Sequence, residues 1–132
     1  MDDKVREFLE KNHGAVMATT KKDGRPHLAR IDVGLMGDKL WSSGTQTRVR
    51  TKHLRRDPRA TLMILDESTP YRWLGLECNV TIIDGDDAPE LNLELYRKLA
   101  GEPTDLAEYM EAMVTEQRLI YEFEVEKTYG MY

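Results

Sequence analysis

The sequence LWSSGTQTRVRTKHLRRDP, residues 40–58, joins an extended segment to a basic helix through a loop of small polar residues. Residues 40–44 are typical of a short strand, and their serines and glycine let another group approach the backbone closely. The following residues have helical spacing, with Thr45 or Thr47 available as the N-cap. The helix should end before Pro58, because proline disfavours the helical conformation of the residue that precedes it. The stretch therefore predicts a strand, a loop and a helix in direct succession.

Basic residues concentrate in this stretch, although the chain as a whole has a formal net charge of −5 at pH 7. Residues 48–59 contain six arginines and lysines and one acid, Asp57, which gives a local net charge of +5. A helix N-terminus offers unpaired N–H groups, and arginine adds bidentate donors that match a phosphate. Arg48 and Arg50 therefore predict a phosphate site at the helix start. The alternative is that these arginines form a solvated helix face.

Outside this stretch, the hydrophobic pattern predicts a small β-domain with peripheral helices. Period-two alternation and short apolar runs predict strands over residues 15–20, 28–35, 40–44, 59–65, 71–83 and 119–126. Helical spacing predicts helices near the N-terminus and over residues 90–100 and 104–116. In the last strand, Tyr121 and Phe123 should face the core and Ile120 should face solvent. Six short strands with few helices favour a mainly β fold, one small barrel domain over residues 1–132.

The composition excludes several kinds of protein. Cys78 is the only cysteine, which excludes an intrachain disulfide and a cysteine-rich zinc site, and the three histidines are too dispersed to indicate a metal cluster. The acidic net charge argues against nucleic-acid binding, and no apolar run approaches the ~20 residues that span a membrane. The first residues lack the features of a secretory signal, so we expect a cytoplasmic protein.

The aromatic residues predict self-association. Trp41, Tyr71, Trp73, Tyr121 and Phe123 lie in the predicted strands. Together they offer more apolar surface than so small a barrel should leave exposed. We therefore expect a homodimer.

Several segments of the chain resemble one known family. They are KKDGRPH at 21–27, KLWSS at 39–43, RVRTKHLRRDPRA at 48–60, LYRKLAGE at 95–102, AMVT at 112–115 and the closing Tyr129-Gly130. In this order they are similar to the pyridoxamine 5′-phosphate oxidase-like superfamily. Within it they resemble the actinobacterial branch of deazaflavin-dependent reductases that use coenzyme F420. The resemblance covers nearly the whole chain, and its most specific part is the turn, strand and helix between residues 23 and 58.

The resemblance implies a split β-barrel that dimerises and holds its cofactors between the subunits. It implies that Arg48 and Arg50 bind the cofactor phosphate, with Arg50 at the position where the family usually has lysine. The cofactor ring would lie along the second strand and the hairpin that follows it. The full set of implied cofactor-binding residues is Arg30, Asp32, Ser42, Ser43, Gly44, Thr45, Thr47, Arg48, Arg50 and Lys52.

The activity that the resemblance implies is hydride transfer from reduced coenzyme F420, an 8-hydroxy-5-deazaflavin, to a conjugated or quinone-like small molecule. The cofactor supplies this chemistry, so no side chain is named as catalytic. Flavin mononucleotide (FMN) on the same barrel is the alternative cofactor. It has a single phosphate, whereas the longer lactyl-glutamate tail of F420 can use the additional charges of Lys52, Arg55 and Arg56. A third possibility is a protein that holds a flavin, pyridoxal phosphate or haem without turning it over.

Overall fold

Seven antiparallel strands form one sheet that curls into a half-barrel, and four helices pack around it. The computed structural model describes residues 1–132. The elements in chain order are α1 (Asp3–Lys11), β1 (Gly14–Thr20), β2 (Pro26–Asp32), β3 (Gly34–Met36), β4 (Lys39–Thr45), α2 (Val49–Arg56), β5 (Arg59–Leu65), β6 (Trp73–Ile83), α3 (Ala88–Ala100), α4 (Leu106–Thr115) and β7 (Arg118–Met131). The strands pair in the order β2-β1-β5-β6-β7-β4-β3. The predicted mainly β, split-barrel fold is confirmed.

The predicted second strand is divided into two by a break at Val33. Its first part, β2, pairs with β1, and its second part, β3, pairs with β4 at the opposite end of the sheet order. The backbone N–H of Val33 donates to the carbonyl of His13 at 2.8 Å, which anchors the break. The single predicted strand thus forms both edge strands of the sheet, β2 and β3. The sheet curls so that β2 approaches β4.

The core lies on the inner face of the curled sheet and is closed at one end by α1. Val5, Phe8 and Leu9 of α1 are buried against it. Asp2 caps this helix, because its carboxylate accepts hydrogen bonds from the N–H groups of Lys4 and Val5 at 2.8 and 3.1 Å.

The last strand buries residues on both of its faces. Tyr121 and Phe123 lie in the core, as predicted. The prediction for Ile120 is wrong, since this side chain is 0% exposed. Helix α3 packs across the outer face of β7 and covers it, so the alternating pattern does not determine burial at this position.

The helices are short, from 8 to 13 residues, and none of them is long and apolar enough to cross a membrane. Helices α3 and α4 form a hairpin that turns at Gly101, whose φ of 83° is easily adopted only by glycine. The Tyr109 hydroxyl of α4 donates to the Asn92 carbonyl of α3 at 3.1 Å. The Tyr96 and Tyr109 rings lie 4.9 Å apart and join the two helices further.

The helix in the basic stretch begins later than predicted. Arg48 occupies the N-cap position with no side-chain capping bond, so the expected cap by Thr45 or Thr47 is wrong. Thr45 is still part of β4, where it pairs with Arg118. Its carbonyl accepts a hydrogen bond from the Thr51 hydroxyl at 2.6 Å, which attaches the helix to the strand end.

Candidate anion-binding site

A basic cleft of about 730 Å³ lies between the start of α2 and the start of β7. Its lining residues are His27, Thr45, Thr47, Arg48, Val49, Arg50, Thr115, Glu116, Gln117 and Arg118. Three arginines and one glutamate give the lining a net charge of +2. A phosphate monoester carries about −1.5 to −2 charges at pH 7, so the charge of the cleft matches one such group.

Arg50 is the central residue of this cleft. Its side chain is half-buried, and its Nε–H is buried without a hydrogen-bond partner. Burial lowers the pKa of the guanidinium, and the charges of Arg48 and Arg118 act in the same direction, whereas Tyr121 acts in the opposite direction. Arginine stays protonated despite such a shift. A buried, unpaired charge is costly, and an anion in the cleft would both pair it and supply the missing acceptor.

A second space, which we call the hairpin cavity, lies between the β2 and β4 strands and the α3–α4 hairpin and has a volume of about 600 Å³. Its strand side is polar and consists of Arg30, Ile31, Asp32, Ser42 and Ser43. Its helix side is mostly apolar and includes Leu95, Tyr96, Leu99, Tyr109, Ala112 and Met113. Arg50, Glu116 and Arg118 line both spaces, so the basic cleft and the hairpin cavity adjoin.

The structure brings most of the predicted site residues to these two spaces. Thr45, Thr47, Arg48 and Arg50 line the basic cleft. Arg30, Asp32, Ser42 and Ser43 line the hairpin cavity, again with Arg50. Their contact with a cofactor stays a prediction, but they share one continuous depression.

The structure gives Gly44 a different role from the predicted one. A Cβ atom at this position would overlap the side chain of Tyr121. The close approach that glycine permits is therefore made by the buried Tyr121 ring, whose hydroxyl contacts Thr51 at the start of α2. Gly44 lines neither the basic cleft nor the hairpin cavity, and its contact with a ligand stays a prediction.

The remaining basic residues of α2 lie away from the cleft. Lys52 is exposed and lines neither space, so its contact with a cofactor stays a prediction. Arg55 donates to Asp84 and Gln46 at 2.8 and 2.7 Å, and Arg56 donates to the Thr20 carbonyl. Asp84 therefore offsets the charge of Arg55, whereas Arg56 keeps its positive charge.

Two of the side chains predicted to contact the cofactor ring, Arg30 and Ser43, already make hydrogen bonds within the protein. Arg30 lies 3.4 Å from Asp32 and also donates to the Ile31 carbonyl. The Ser43 hydroxyl donates to the buried Asn92 side chain and accepts a 3.4 Å hydrogen bond from Arg118. The strand side of the hairpin cavity is therefore pre-organised by bonds between neighbouring residues.

Arg118 is the main functional candidate that the sequence does not reveal. It lies at the first position of β7, and its guanidinium pairs with Glu116 at 2.8 Å. Between them, Gln117 has a φ of 55°, the only positive φ of a non-glycine residue in the chain. Such strained positions cluster at functional sites. No spacing or composition signal marks Arg118, because it reaches the cleft only through the pairing of β7 with β4.

Two histidines that are distant in sequence meet at the edge of the basic cleft. The His27 and His53 ring centroids are 5.0 Å apart, and His53 Nδ1 lies 3.0 Å from the Thr19 hydroxyl. Burial lowers the pKa of His53, and the neighbouring His27, Arg56 and Lys21 act in the same direction. The surroundings of His53 therefore disfavour its charged form.

The fold and the site together define a small antiparallel half-barrel with a basic cleft beside its β4–α2 junction. The profile of the pyridoxamine 5′-phosphate oxidase family matches residues 1–132, and the chain belongs to this family.

Solved structures share the fold at low sequence identity. Conserved hypothetical protein Rv2991 from Mycobacterium tuberculosis is 19% identical, with a TM-score of 0.82 over 99% of this chain and 84% of that one. A protein named F420 reductase is 22% identical, with a TM-score of 0.72 over 94% of both chains. General Stress Protein 26 from Bacillus anthracis is 14% identical, with a TM-score of 0.70 over 98% of this chain and 92% of that one. At these identities the similarity establishes the fold.

Proposed function

We propose that this protein is an oxidoreductase that uses coenzyme F420 and transfers a hydride from the reduced deazaflavin to a conjugated or quinone-like acceptor. The observation that carries the proposal is the unpaired, half-buried Arg50 guanidinium at the junction of a basic cleft and a partly apolar cavity. Such a junction suits a molecule with an anionic end and a flat ring. Membership of the family and the fold shared with a protein named F420 reductase support the same choice.

Each space has a defined part in this proposal. Arg48, Arg50 and Arg118 bind the cofactor phosphate in the basic cleft, and the Thr47 hydroxyl is a further donor. Arg30 and Ser42, on the strand side of the hairpin cavity, would hold and orient the cofactor ring. When bound, the reduced deazaflavin would supply the hydride, and the protein would exclude water and fix the geometry.

FMN is the second candidate cofactor, and one observation favours it. The cleft has a net charge of +2, which a single phosphate is sufficient to neutralise. Arg55, which the sequence assigned to the longer F420 tail, is paired with Asp84 instead. The F420 tail would therefore have to extend past Arg48 at the exposed end of the cleft.

Fluorescence titrations should distinguish the two cofactors. We expect F420 to bind about tenfold more tightly than FMN at low salt, since its tail adds about one charge-assisted hydrogen bond near Arg48. Raising the salt to several hundred millimolar should reduce this advantage, because exposed charges are screened over ~10 Å at 0.1 M. Arg48→Ala should weaken the binding of F420 more than the binding of FMN.

The matched control is Arg55→Gln, which removes an arginine of the same helix that is already paired with Asp84. It should leave both affinities unchanged. The F420 proposal would give way to the FMN alternative under two results together. FMN would bind more tightly at both salt concentrations, and Arg48→Ala would reduce the affinity for the two ligands equally.

We also propose a homodimer, although its surface differs from the predicted one. Tyr121 and Phe123, which the sequence assigned to that surface, are fully buried in the core. The strand register instead places an apolar set on the outer face of the sheet. Its most exposed members are Leu28, Met63, Tyr129 and Met131, at 65%, 41%, 40% and 59% exposure. Large apolar side chains exposed on one face of a sheet favour association.

Analytical sedimentation should find a dimer at micromolar concentration. Met63→Glu should convert it to a monomer, because a charge on the inner strand β5 would be buried unpaired in the interface. The variant should keep its thermal stability as a folded chain, since Met63 is exposed in the single subunit. Val114→Glu, at an exposed residue of α4, is the control and should remain dimeric. A monomeric parent protein would remove the dimer proposal.

A further inference from the structure

The side-chain amide of Asn92 can satisfy its hydrogen bonds in only one orientation. Asn92 lies on α3, is 2% exposed and borders the hairpin cavity. Its Nδ2 donates to the backbone carbonyls of Ala88 and Leu119 at 2.9 and 3.4 Å. A carbonyl oxygen can only accept a hydrogen bond, so the amide nitrogen must face these two groups. The Oδ1 atom of Asn92 therefore faces Ser43 on β4.

This orientation determines which hydrogen bonds the Ser43 hydroxyl can make. Its Oγ lies 2.5 Å from Asn92 Oδ1, and because Oδ1 can only accept, the single hydroxyl proton is used in this bond. The same Oγ accepts a 3.4 Å hydrogen bond from Arg118. A hydroxyl oxygen has two lone pairs, so one of them stays free. Ser43 therefore offers the hairpin cavity an acceptor and no donor.

We propose that Asn92 is a positioning residue that fixes the Ser43 hydroxyl as an acceptor, and that this acceptor binds the N–H group at the pyrimidine edge of the cofactor ring. The identity of the ligand rests on the proposed function, whereas the direction of the Ser43 hydroxyl rests on the hydrogen bonds of Asn92. F420 and FMN both have this N–H group, between two ring carbonyls. Arg30, on the same side of the cavity, has only donors and suits a carbonyl.

Fluorescence titration with FMN and with 3-deaza-FMN tests the inference. In the second probe a C–H group replaces the ring N–H, so the two probes have nearly the same shape and differ in one hydrogen-bond donor. We expect the parent protein to bind FMN about tenfold more tightly, because 3-deaza-FMN leaves the fixed acceptor of Ser43 unpaired.

Ser43→Ala should bind the two probes equally, since the acceptor is then absent. In Asn92→Ala the hydroxyl is free to rotate and its proton can point toward the ring, so the preference for FMN should fall to about threefold. A loosened α3 would weaken both probes by the same factor and leave their ratio unchanged. Ser68→Ala is the control, because it removes a hydroxyl that donates to Asp66 and lines neither space. Thermal unfolding checks that each variant is folded.

The ratio of the two affinities and the activity separate the failure of this inference from the failure of the proposed function. Equal affinity of the parent for the two probes, or no binding of FMN by the parent, would overturn the inference. An unchanged ratio in Asn92→Ala would show that Asn92 only supports the fold. A preference for FMN that is lost in Ser43→Ala, without oxidation of reduced F420 or FMN by any acceptor tested, would retain the hydrogen bond and overturn the activity.

Discussion

Arg50→Ala is expected to weaken binding of the phosphate-bearing cofactor by roughly 1.5–3 kcal/mol, the value of a charged hydrogen bond. This corresponds to about a 10- to 150-fold rise in Kd. The effect should be large because Arg50 lines both spaces and has a buried donor with no partner in the protein. Fold stability should change little or increase, since the unpaired guanidinium is half-buried. Cofactor fluorescence and thermal unfolding measure the two quantities.

Lys52→Ala is the matched control for this variant. Lys52 carries the same charge, lies two positions further along α2 and lines neither space, so its removal should leave the cofactor affinity nearly unchanged. Arg50→Lys should retain most of the affinity, because it keeps a positive charge at the same position. Equal losses of cofactor affinity in Arg50→Ala and Lys52→Ala would mean that any nearby positive charge has the same effect. The assignment of Arg50 to the phosphate would then fail.

Gly44→Ala is expected to destabilise the protein by roughly 1–3 kcal/mol, as overpacking of a close-packed core does. The new methyl group would overlap the Tyr121 side chain, which is 0% exposed and is held by its hydrogen bond to Thr51. Chemical denaturation of the cofactor-free protein measures this loss. A glycine that served only ligand binding would instead give a variant of normal stability.

Two further variants identify the cause. Gly85→Ala is the control, because a Cβ atom at that position would meet only an ordinary contact at 3.4 Å from Asp87. In a double-mutant cycle, Tyr121→Leu should remove most of the additional cost of Gly44→Ala, since the overlapping ring is then absent. Additive losses in the two single variants would mean that the overlap with Tyr121 does not cause the instability.

Local patterns were sufficient to predict most of the fold. The strands and helices follow from period-two and helical spacing, and Arg59–Leu65 and the end of α3 at Gly101 lie where the pattern placed them. The location of the basic cleft was also predictable in part. Arg48 and Arg50 are neighbours in sequence, and their position at a strand-to-helix junction is a local property.

Long-range packing accounts for the features that local patterns did not predict. Gly44 meets Tyr121, and α3 covers Ile120, because distant segments of the chain pack together. Arg118 enters the site through strand pairing that no local pattern specifies. The local charge counted for residues 48–59 overstates the net charge of this region for a related reason. It could not include Asp84, which neutralises Arg55 across a separation of 29 residues.

The wall that the basic cleft shares with the hairpin cavity has a thermodynamic consequence. Arg118 is held by Glu116 and also donates to Ser43 on the strand side. A ligand in one space that draws Arg118 away from Glu116 changes the donors and the charge that the other space presents. Linkage then makes the effect reciprocal: the factor by which the first ligand alters the affinity for the second is also the factor by which the second alters the affinity for the first.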